Sequence, residues 1–226
     1  MNPMLSPKQL LFILAFSALV LIGSQINFSP LLGAENQFFT LFQFFGPTAG
    51  MFLGPIIGAA SVLLAEIVNF VFVGKEFTII NLFRLTPMLF AAAYFGSKAK
   101  KQRYFAAIPL LAMVAFWLHP VGQEAWFYAL YWLLPITATL KPNLVSRSIG
   151  ATFTAHAVGS VAFLYAVPTT PALWIGLIPV VAMERGLFSL GIAGSYIVLN
   201  TVMARLHLPV FDVDKRYVLS KKLLLG

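Results

Sequence analysis

The chain has 226 residues, of which 60% are hydrophobic and only 10% are charged, and its mean hydropathy is +0.88. A soluble domain carries roughly 25% charged residues, so this composition excludes a soluble globular protein and predicts an integral membrane protein. The absence of cysteine excludes disulfides and thiolate metal sites. The net charge of +8 does not indicate nucleic-acid binding, because the basic residues lie mostly between and beyond the apolar runs.

The apolar runs predict an all-α fold, a polytopic transmembrane helical bundle. A spanning helix needs about 20 apolar residues at a rise of ~1.5 Å per residue. Several runs are short and Gly54-Pro55 interrupts one of them, so we expect six to eight spans. In chain order they are expected at residues 9–25, 38–53, 55–73, 78–97, 104–119, 126–140, 148–167 and 185–204. Pro109 and Pro135 predict kinks, and Pro179 predicts a helix start.

The first apolar run follows a single cation, Lys8, and no convincing Ala-x-Ala cleavage site comes after it. We therefore interpret this run as the first membrane helix and not as a signal peptide. The whole chain, 1–226, is expected to form one integral membrane domain. Its short ends, 1–8 and 207–226, are expected to lie outside the bilayer.

Three basic clusters predict the orientation of the bundle. The first occupies one short loop and consists of Lys98, Lys100, Lys101 and Arg103. The second is Lys141 with Arg147, and the third follows the last span with Arg205, Lys215, Arg216, Lys221 and Lys222. Cytoplasmic loops carry an excess of Lys and Arg. Eight spans with both termini in the cytoplasm place all three clusters on that side.

Residues 44–69 contain a repeat of small residues. Gly46, Gly50, Gly54 and Gly58 recur at every fourth position in an almost unbroken apolar run. In lipid, small residues at this spacing let helix backbones approach closely. We therefore predict that the four glycines pack helices together or dock a partner.

Two charges fall inside predicted spans, and each has an amide one turn away. Glu66 and Asn69 share a face of one helix, and Asn81 and Arg84 share a face of the next. An ionisable group within the membrane usually faces a cavity or a partner. These four side chains are therefore predicted to contact a solute. The alternative is a structural ion pair between Glu66 and Arg84.

Histidine and tryptophan provide further candidate solute contacts. His156 lies in the middle of a predicted span, His119 lies at the outer end of another, and Trp132 lies deeper. The alternative for His156 is a core histidine whose hydrogen bonds serve only the fold. The alternative for the aromatic residues is a belt at the membrane interface, and we assign Trp174 to that belt.

Glu184 and Arg185 are adjacent in the sequence, so they point in different directions on a helix. We expect that one faces inward and that the other reaches an interface.

Residues 38–103 contain an ordered set of features. An apolar run leads into Gly46-Pro47-Thr48-Ala49-Gly50 and then Gly54-Pro55-Ile56-Ile57-Gly58. Glu66 and Asn69 follow, then the Gly74-Lys75-Glu76 loop and a helix that ends at the basic loop. In this order of features the chain resembles the S-components, the substrate-binding membrane subunits of energy-coupling-factor (ECF) transporters.

The resemblance implies a non-enzymatic subunit, without a cofactor, that takes up a small organic solute such as a vitamin or related ring compound. It implies a transmembrane coupling subunit and ABC-type ATPases as partners. Family members often dock the coupling subunit through small residues at A-x-x-x-A spacing on the first helix. This chain has Ala15, Ala18 and Gly23 there instead. The family core has six helices, and residues 104–204 of this chain form a longer second half.

Several motifs are absent from the sequence. Glu76 follows Gly74-Lys75, so no G-x-x-x-x-G-K-[ST] phosphate-binding loop is present and the chain carries no ATPase of its own. Neither H-E-x-x-H nor G-x-S-x-G occurs. Three histidines and no cysteine indicate no dedicated transition-metal site. Cobalt and nickel members of the ECF group begin with Met-His. This chain begins with Met1-Asn2, which argues against a metal ion as its substrate.

Two other functions fit the sequence. One is an intramembrane enzyme acting on a lipid-like substrate through His119, His156, Glu66 and Glu184. It needs at least two of these side chains within hydrogen-bond reach of each other. The other is a structural subunit of a membrane complex, in which the polar groups serve packing alone.

Overall fold

The computed structural model describes residues 6–33, 37–206 and 213–219, apart from the side chains of residues 8, 99 and 100. In this part of the chain, helices predominate. They are α1 (Pro7–Ser24), α2 (Thr48–Leu53), α3 (Pro55–Phe72), α4 (Ile79–Phe83), α5 (Pro87–Gly96), α6 (Ala99–Phe105), α7 (Ala107–Leu118), α8 (Pro120–Glu124), α9 (Leu134–Ala138), α10 (Leu144–Ala166) and α11 (Pro171–Arg205). Short 3-10 segments are Leu41–Phe44, Trp126–Leu133 and Lys215–Tyr217.

Four helical stretches are long and apolar enough to cross a membrane: Pro55–Phe72, Ile79–Gly96, Leu144–Ala166 and Pro171–Arg205. Two shorter apolar helices cover Gln9–Ser24 and Trp126–Ala138. An 18-residue helix is about 27 Å long, which is close to the thickness of the bilayer hydrocarbon. These helices indicate a multi-pass membrane protein, in agreement with the composition.

A small β-hairpin follows α1, which the all-α prediction missed: its first strand lies between the first two predicted spans, and its second strand lies at the start of the second predicted span. Strands β1 (Asn27–Pro30) and β2 (Phe38–Thr40) pair antiparallel, with Ser29 opposite Phe39. The predicted apolar span at 38–53 is not one helix, because it consists of β2, a 3-10 turn and the six-residue helix α2. Proline has no N–H to donate and fixes φ, so Pro47 interrupts the helical hydrogen bonds in this segment.

The last helix is longer than predicted. It begins at Pro171 and contains Pro179 in its interior, so the predicted start at Pro179 is wrong. Helices in membrane bundles tolerate an internal proline where neighbouring groups bind the freed backbone. The carbonyl that loses its helical donor at Pro179 is that of Ile175, and next to the proline the Tyr131 hydroxyl donates to the carbonyl of Ile178 at 3.0 Å.

One end of the bundle, here named the basic end, collects the basic clusters. The Arg147 guanidinium donates to the carbonyl of Ser97 at 2.9 Å and also to that of Phe95, which joins the second cluster to the first. Asn200 donates to the carbonyls of Asp214 and Tyr217 at 2.9 and 3.2 Å. These contacts hold residues 213–219 against the end of α11, and the rest of the predicted tail lies outside the described residues.

The repeated glycines occupy different environments. A Cβ at Gly50 would lie 1.9 Å from the carbonyl oxygen of Ala92, and one at Gly58 would lie 2.5 Å from the Gly50 Cα. These two glycines therefore lie where α2, α3 and α5 approach most closely. A Cβ at Gly46 would lie 2.6 Å from the Met88 side chain. Gly54 has open space around it, and its φ of 82° permits the break between α2 and α3.

The outer face of α1 contains two of the three small residues named for this helix, whereas the third, Gly23, is buried against Phe45. Ala15 and Ala18 are exposed, whereas Phe12, Phe16 and Val20 on the opposite face are buried in the core. Helix α1 thus packs through its aromatic face and leaves these two alanines available to lipid or to a partner helix.

Candidate functional site

A cavity of about 160 Å³ lies at the end of the bundle opposite the basic end. Its walls come from the hairpin, α4, the second halves of α3 and α10, and the first half of α11. Apolar walls with a few converging polar groups are typical of small-molecule sites. An apolar cavity of ~150 Å³ admits benzene, so this cavity has room for a small ring compound.

Five of the seven predicted solute contacts line this cavity: Glu66, Asn69, Asn81, Arg84 and His156. The other two lie outside its lining. His119 caps α8, where its Nδ1 accepts from the Val121 N–H at 3.3 Å. Trp132 is fully buried and reaches the cavity only through its contact with His156.

Arg84 binds the hairpin and forms no ion pair with Glu66 among the described residues. Its guanidinium donates to the Gln37 side-chain oxygen and, at 2.6 Å, to the carbonyl of Phe38. The Glu66 carboxylate lines the cavity and has no hydrogen bond or ion pair within the described part of the chain. The structural ion pair considered from the sequence is thus not formed, and both charges face the cavity.

Side-chain amides attach the hairpin region to the helices. Asn69 is buried and accepts from the Gln25 amide at 3.1 Å. Asn81 accepts from the Gln37 amide at 3.3 Å and donates to the carbonyl of Glu76 at 3.0 Å. Gln37 therefore bridges Arg84 and Asn81, which fixes the hairpin over the cavity. The sequence analysis missed this role, since a glutamine in a loop carries no pattern that indicates its partner.

Lys75 lies at the rim of the cavity, in the loop between α3 and α4. Partial burial of its ammonium lowers the pKa of Lys75, and the nearby positive charge of Arg84 lowers it further, while Glu66 raises it.

Glu184 and Arg185 both line the cavity, and their side chains are only 7% and 3% exposed. The expectation that one of them reaches an interface is therefore wrong. The Arg185 guanidinium lies 3.7 Å from the Glu184 carboxylate and above the rings of Phe39 and Phe188, at 4.5 and 4.8 Å from their centroids. Within the described part of the chain, its buried Nε has no hydrogen-bond partner. Aromatic faces attract a guanidinium, which accounts for its position.

His156 lies between two aromatic side chains. Its Nε2 is 2.8 Å from the Tyr128 hydroxyl, and its Nδ1 accepts from the Trp132 indole N–H at 3.0 Å. Trp174 packs on Tyr128 with their ring centroids 4.9 Å apart. It is 1% exposed and lines the cavity, so its assignment to an interfacial belt is wrong.

The arrangement offers little support for acid–base or metal chemistry. No hydrogen bond joins any two of His119, His156, Glu66 and Glu184 in the described residues. The same residues contain no group of three or more His, Asp and Glu side chains that could hold a metal ion. What the cavity does present is a set of hydrogen-bond donors and charges on an apolar, aromatic wall.

Comparisons with known proteins return no match to this chain: no family model, no curated protein and no solved structure is similar to it.

Proposed function

We propose that this protein is a solute-binding subunit of an uptake transporter in the cell membrane, of the ECF type that residues 38–103 resemble. The observation that carries the proposal is the cavity, which combines aromatic walls with five charged side chains inside an apolar bundle. Charges in such a position are costly unless they serve a ligand, a pathway or a partner. Glu66 and Arg84 do not neutralise each other by direct contact, so a bound solute is their best-supported partner.

The path of the chain supports eight crossings. We count as crossings the four long apolar helices and the two shorter ones, together with residues 41–53 and α6 with α7. The second crossing is the interrupted segment that contains α2. With an even number of crossings, the start of α1 and the end of α11 lie on the same side, that of the basic clusters, which we assign to the cytoplasm. The cavity then opens to the outside.

This topology predicts the labelling of single cysteines in the cysteine-free chain. Glu124 and Lys101 are both exposed, the first beyond α7 near the cavity end and the second in the basic loop. In intact cells, an impermeant maleimide should label Glu124→Cys and leave Lys101→Cys unlabelled. Permeabilised cells should label both, which controls for reactivity. Labelling of Lys101→Cys in intact cells would disprove the orientation.

The sequence has no phosphate-binding loop, so we assign the ATP hydrolysis that drives uptake to partners. By the resemblance these partners are a transmembrane coupling subunit and ABC-type ATPases. The exposed Ala15 and Ala18 on α1 are consistent with close helix docking, since small residues allow backbones to approach.

The direct test is mass spectrometry of the protein purified gently from its native membrane. We expect a stoichiometric small organic solute and co-purifying ATPases. A protein that retains no solute and purifies without ATPases, yet converts a lipid on its own, would be an intramembrane enzyme and would contradict the proposal. Association with a complex that contains no ATPase and no solute would indicate a structural subunit.

A further inference from the structure

The hydrogen bonds around His156 have a defined direction. The Trp132 indole N–H can only donate, so the Nδ1 that it contacts at 3.0 Å carries no proton. The imidazole is therefore neutral, with its proton on Nε2. That N–H donates to the Tyr128 hydroxyl oxygen at 2.8 Å.

Tyr128 consequently has its own O–H free for another acceptor. Its hydroxyl lies beside Ser160, and both residues line the cavity. A hydroxyl that accepts one hydrogen bond donates its own proton onward. The hydrogen bonds from Trp132 to His156 and from His156 to Tyr128 thus leave a hydroxyl donor at the cavity wall. This donor is either the Tyr128 O–H itself or the Ser160 hydroxyl beside it.

A second donor lies close to this wall. Arg185 is 3% exposed, and its Nε–H has no hydrogen-bond partner among the residues that the structure describes. The rings of Phe39 and Phe188 hold the guanidinium in place. Glu184 is 3.7 Å away, which is beyond hydrogen-bond distance. A buried donor without a partner is unfavourable, and an acceptor on a bound molecule would satisfy it.

The charge of the cavity points to an anion. Its lining contains three cationic side chains, Lys75, Arg84 and Arg185, and two acidic ones, Glu66 and Glu184. Because His156 is neutral, the lining has one more cationic side chain than acidic ones. A single negative charge on the solute would balance this excess.

We propose that the solute is a small monoanionic ring compound whose carboxylate binds between Arg185 and Tyr128. The carboxylate accepts from the Arg185 guanidinium and from the Tyr128 hydroxyl, directly or through Ser160. Its ring lies against the aromatic wall that includes Phe39 and Trp174. This inference rests on the proposed solute-binding function and specifies the chemistry of that site.

The test uses calorimetry on the purified full chain with matched probes: benzoate and nicotinate against benzamide and nicotinamide. Each carboxylate should bind at least about 10-fold more tightly than its neutral amide. Tyr128→Phe should weaken carboxylate binding by about 10-fold and amide binding by less, because a hydrogen bond to a charged acceptor is the stronger one. Tyr131→Phe is the matched control, because that hydroxyl donates to the Ile178 carbonyl and Tyr131 is not among the residues that line the cavity.

Arg185→Gln should weaken carboxylate binding by about 100-fold, and the milder Tyr128 variant decides the question if the arginine variant does not fold. Equal or tighter binding of the amides, or a Tyr128→Phe variant with unchanged carboxylate affinity, would overturn the inference. If none of the four probes binds, the charge of the solute retained on purification decides: an anion supports the carboxylate site and a neutral or cationic solute refutes it. Absence of both probe binding and retained solute would refute the proposed function itself.

Discussion

Gly50→Leu is expected to abolish accumulation of the folded protein, and Gly50→Ala to lower the free energy of unfolding by about 3 kcal/mol. A Cβ at this position would lie 1.9 Å from the Ala92 carbonyl oxygen and 3.0 Å from the Gly96 nitrogen. Both obstacles are backbone atoms, so no side-chain rotation relieves the overlap and α2 has to move away from α5. Accumulation in membranes and thermal unfolding in detergent measure the two effects.

Gly194→Ala is the matched control, because this glycine also lies in a helix but has no atom near the added Cβ. The free energy of unfolding of the Gly194→Ala variant should stay the same or rise slightly, since alanine has a higher helix propensity than glycine. Normal accumulation and stability of both Gly50 variants would show that the glycine repeat does not form a close helix contact.

The double variant Glu66→Gln with Arg84→Met is expected to fold and to bind the retained solute at least about 100-fold more weakly than the wild type. Both side chains line the cavity, and the described residues include no ion pair between the two. Glu66→Gln alone should preserve stability, because no cation in the described residues forms an ion pair with the Glu66 carboxylate and would lose it. Arg84→Met alone should loosen the hairpin, because the Gln37 side-chain oxygen and the Phe38 carbonyl lose their donor.

Equilibrium binding of the solute to purified variants, together with their melting temperatures, separates these effects. Glu124→Gln with Arg103→Met removes the same two charge types at exposed positions outside the cavity lining and should change neither quantity. Severe loss of stability in each single variant, with near wild-type solute affinity in the double variant, would show that Glu66 and Arg84 serve only to compensate each other.

The sequence predicted the class of the fold because that class depends on local composition. The apolar runs predicted the helices at Gln9–Ser24, Pro55–Phe72 and Leu144–Ala166 within a few residues. It failed at residues 38–53 and at the start of α11, where proline has opposite effects: Pro47 lies at an interruption and Pro179 lies within a continuous helix. Neighbouring groups decide which effect a proline has, and hydropathy does not describe those neighbours.

The candidate site was only partly predictable. Glu66 and Arg84 could be found because a charge within an apolar run is conspicuous. Arg185 carried the same signal, but its adjacency to Glu184 suggested that the two side chains face apart. Tyr128 and Trp174 carried no signal, because aromatic residues are abundant in this chain and most of them serve packing or interfaces.

The sequence by itself determined that this protein is an apolar helical bundle, that three basic clusters flank its apolar runs, and that charges lie within its spans. These properties follow from residue type and order. Tertiary structure decided that Gln37 reaches Arg84 across 47 positions, and that His156 lies between Tyr128 and Trp132. Hydrogen bonds require heavy atoms about 3 Å apart, and the rotation and depth of each helix set these distances. Helix packing specifies that rotation, while an apolar run by itself leaves it open.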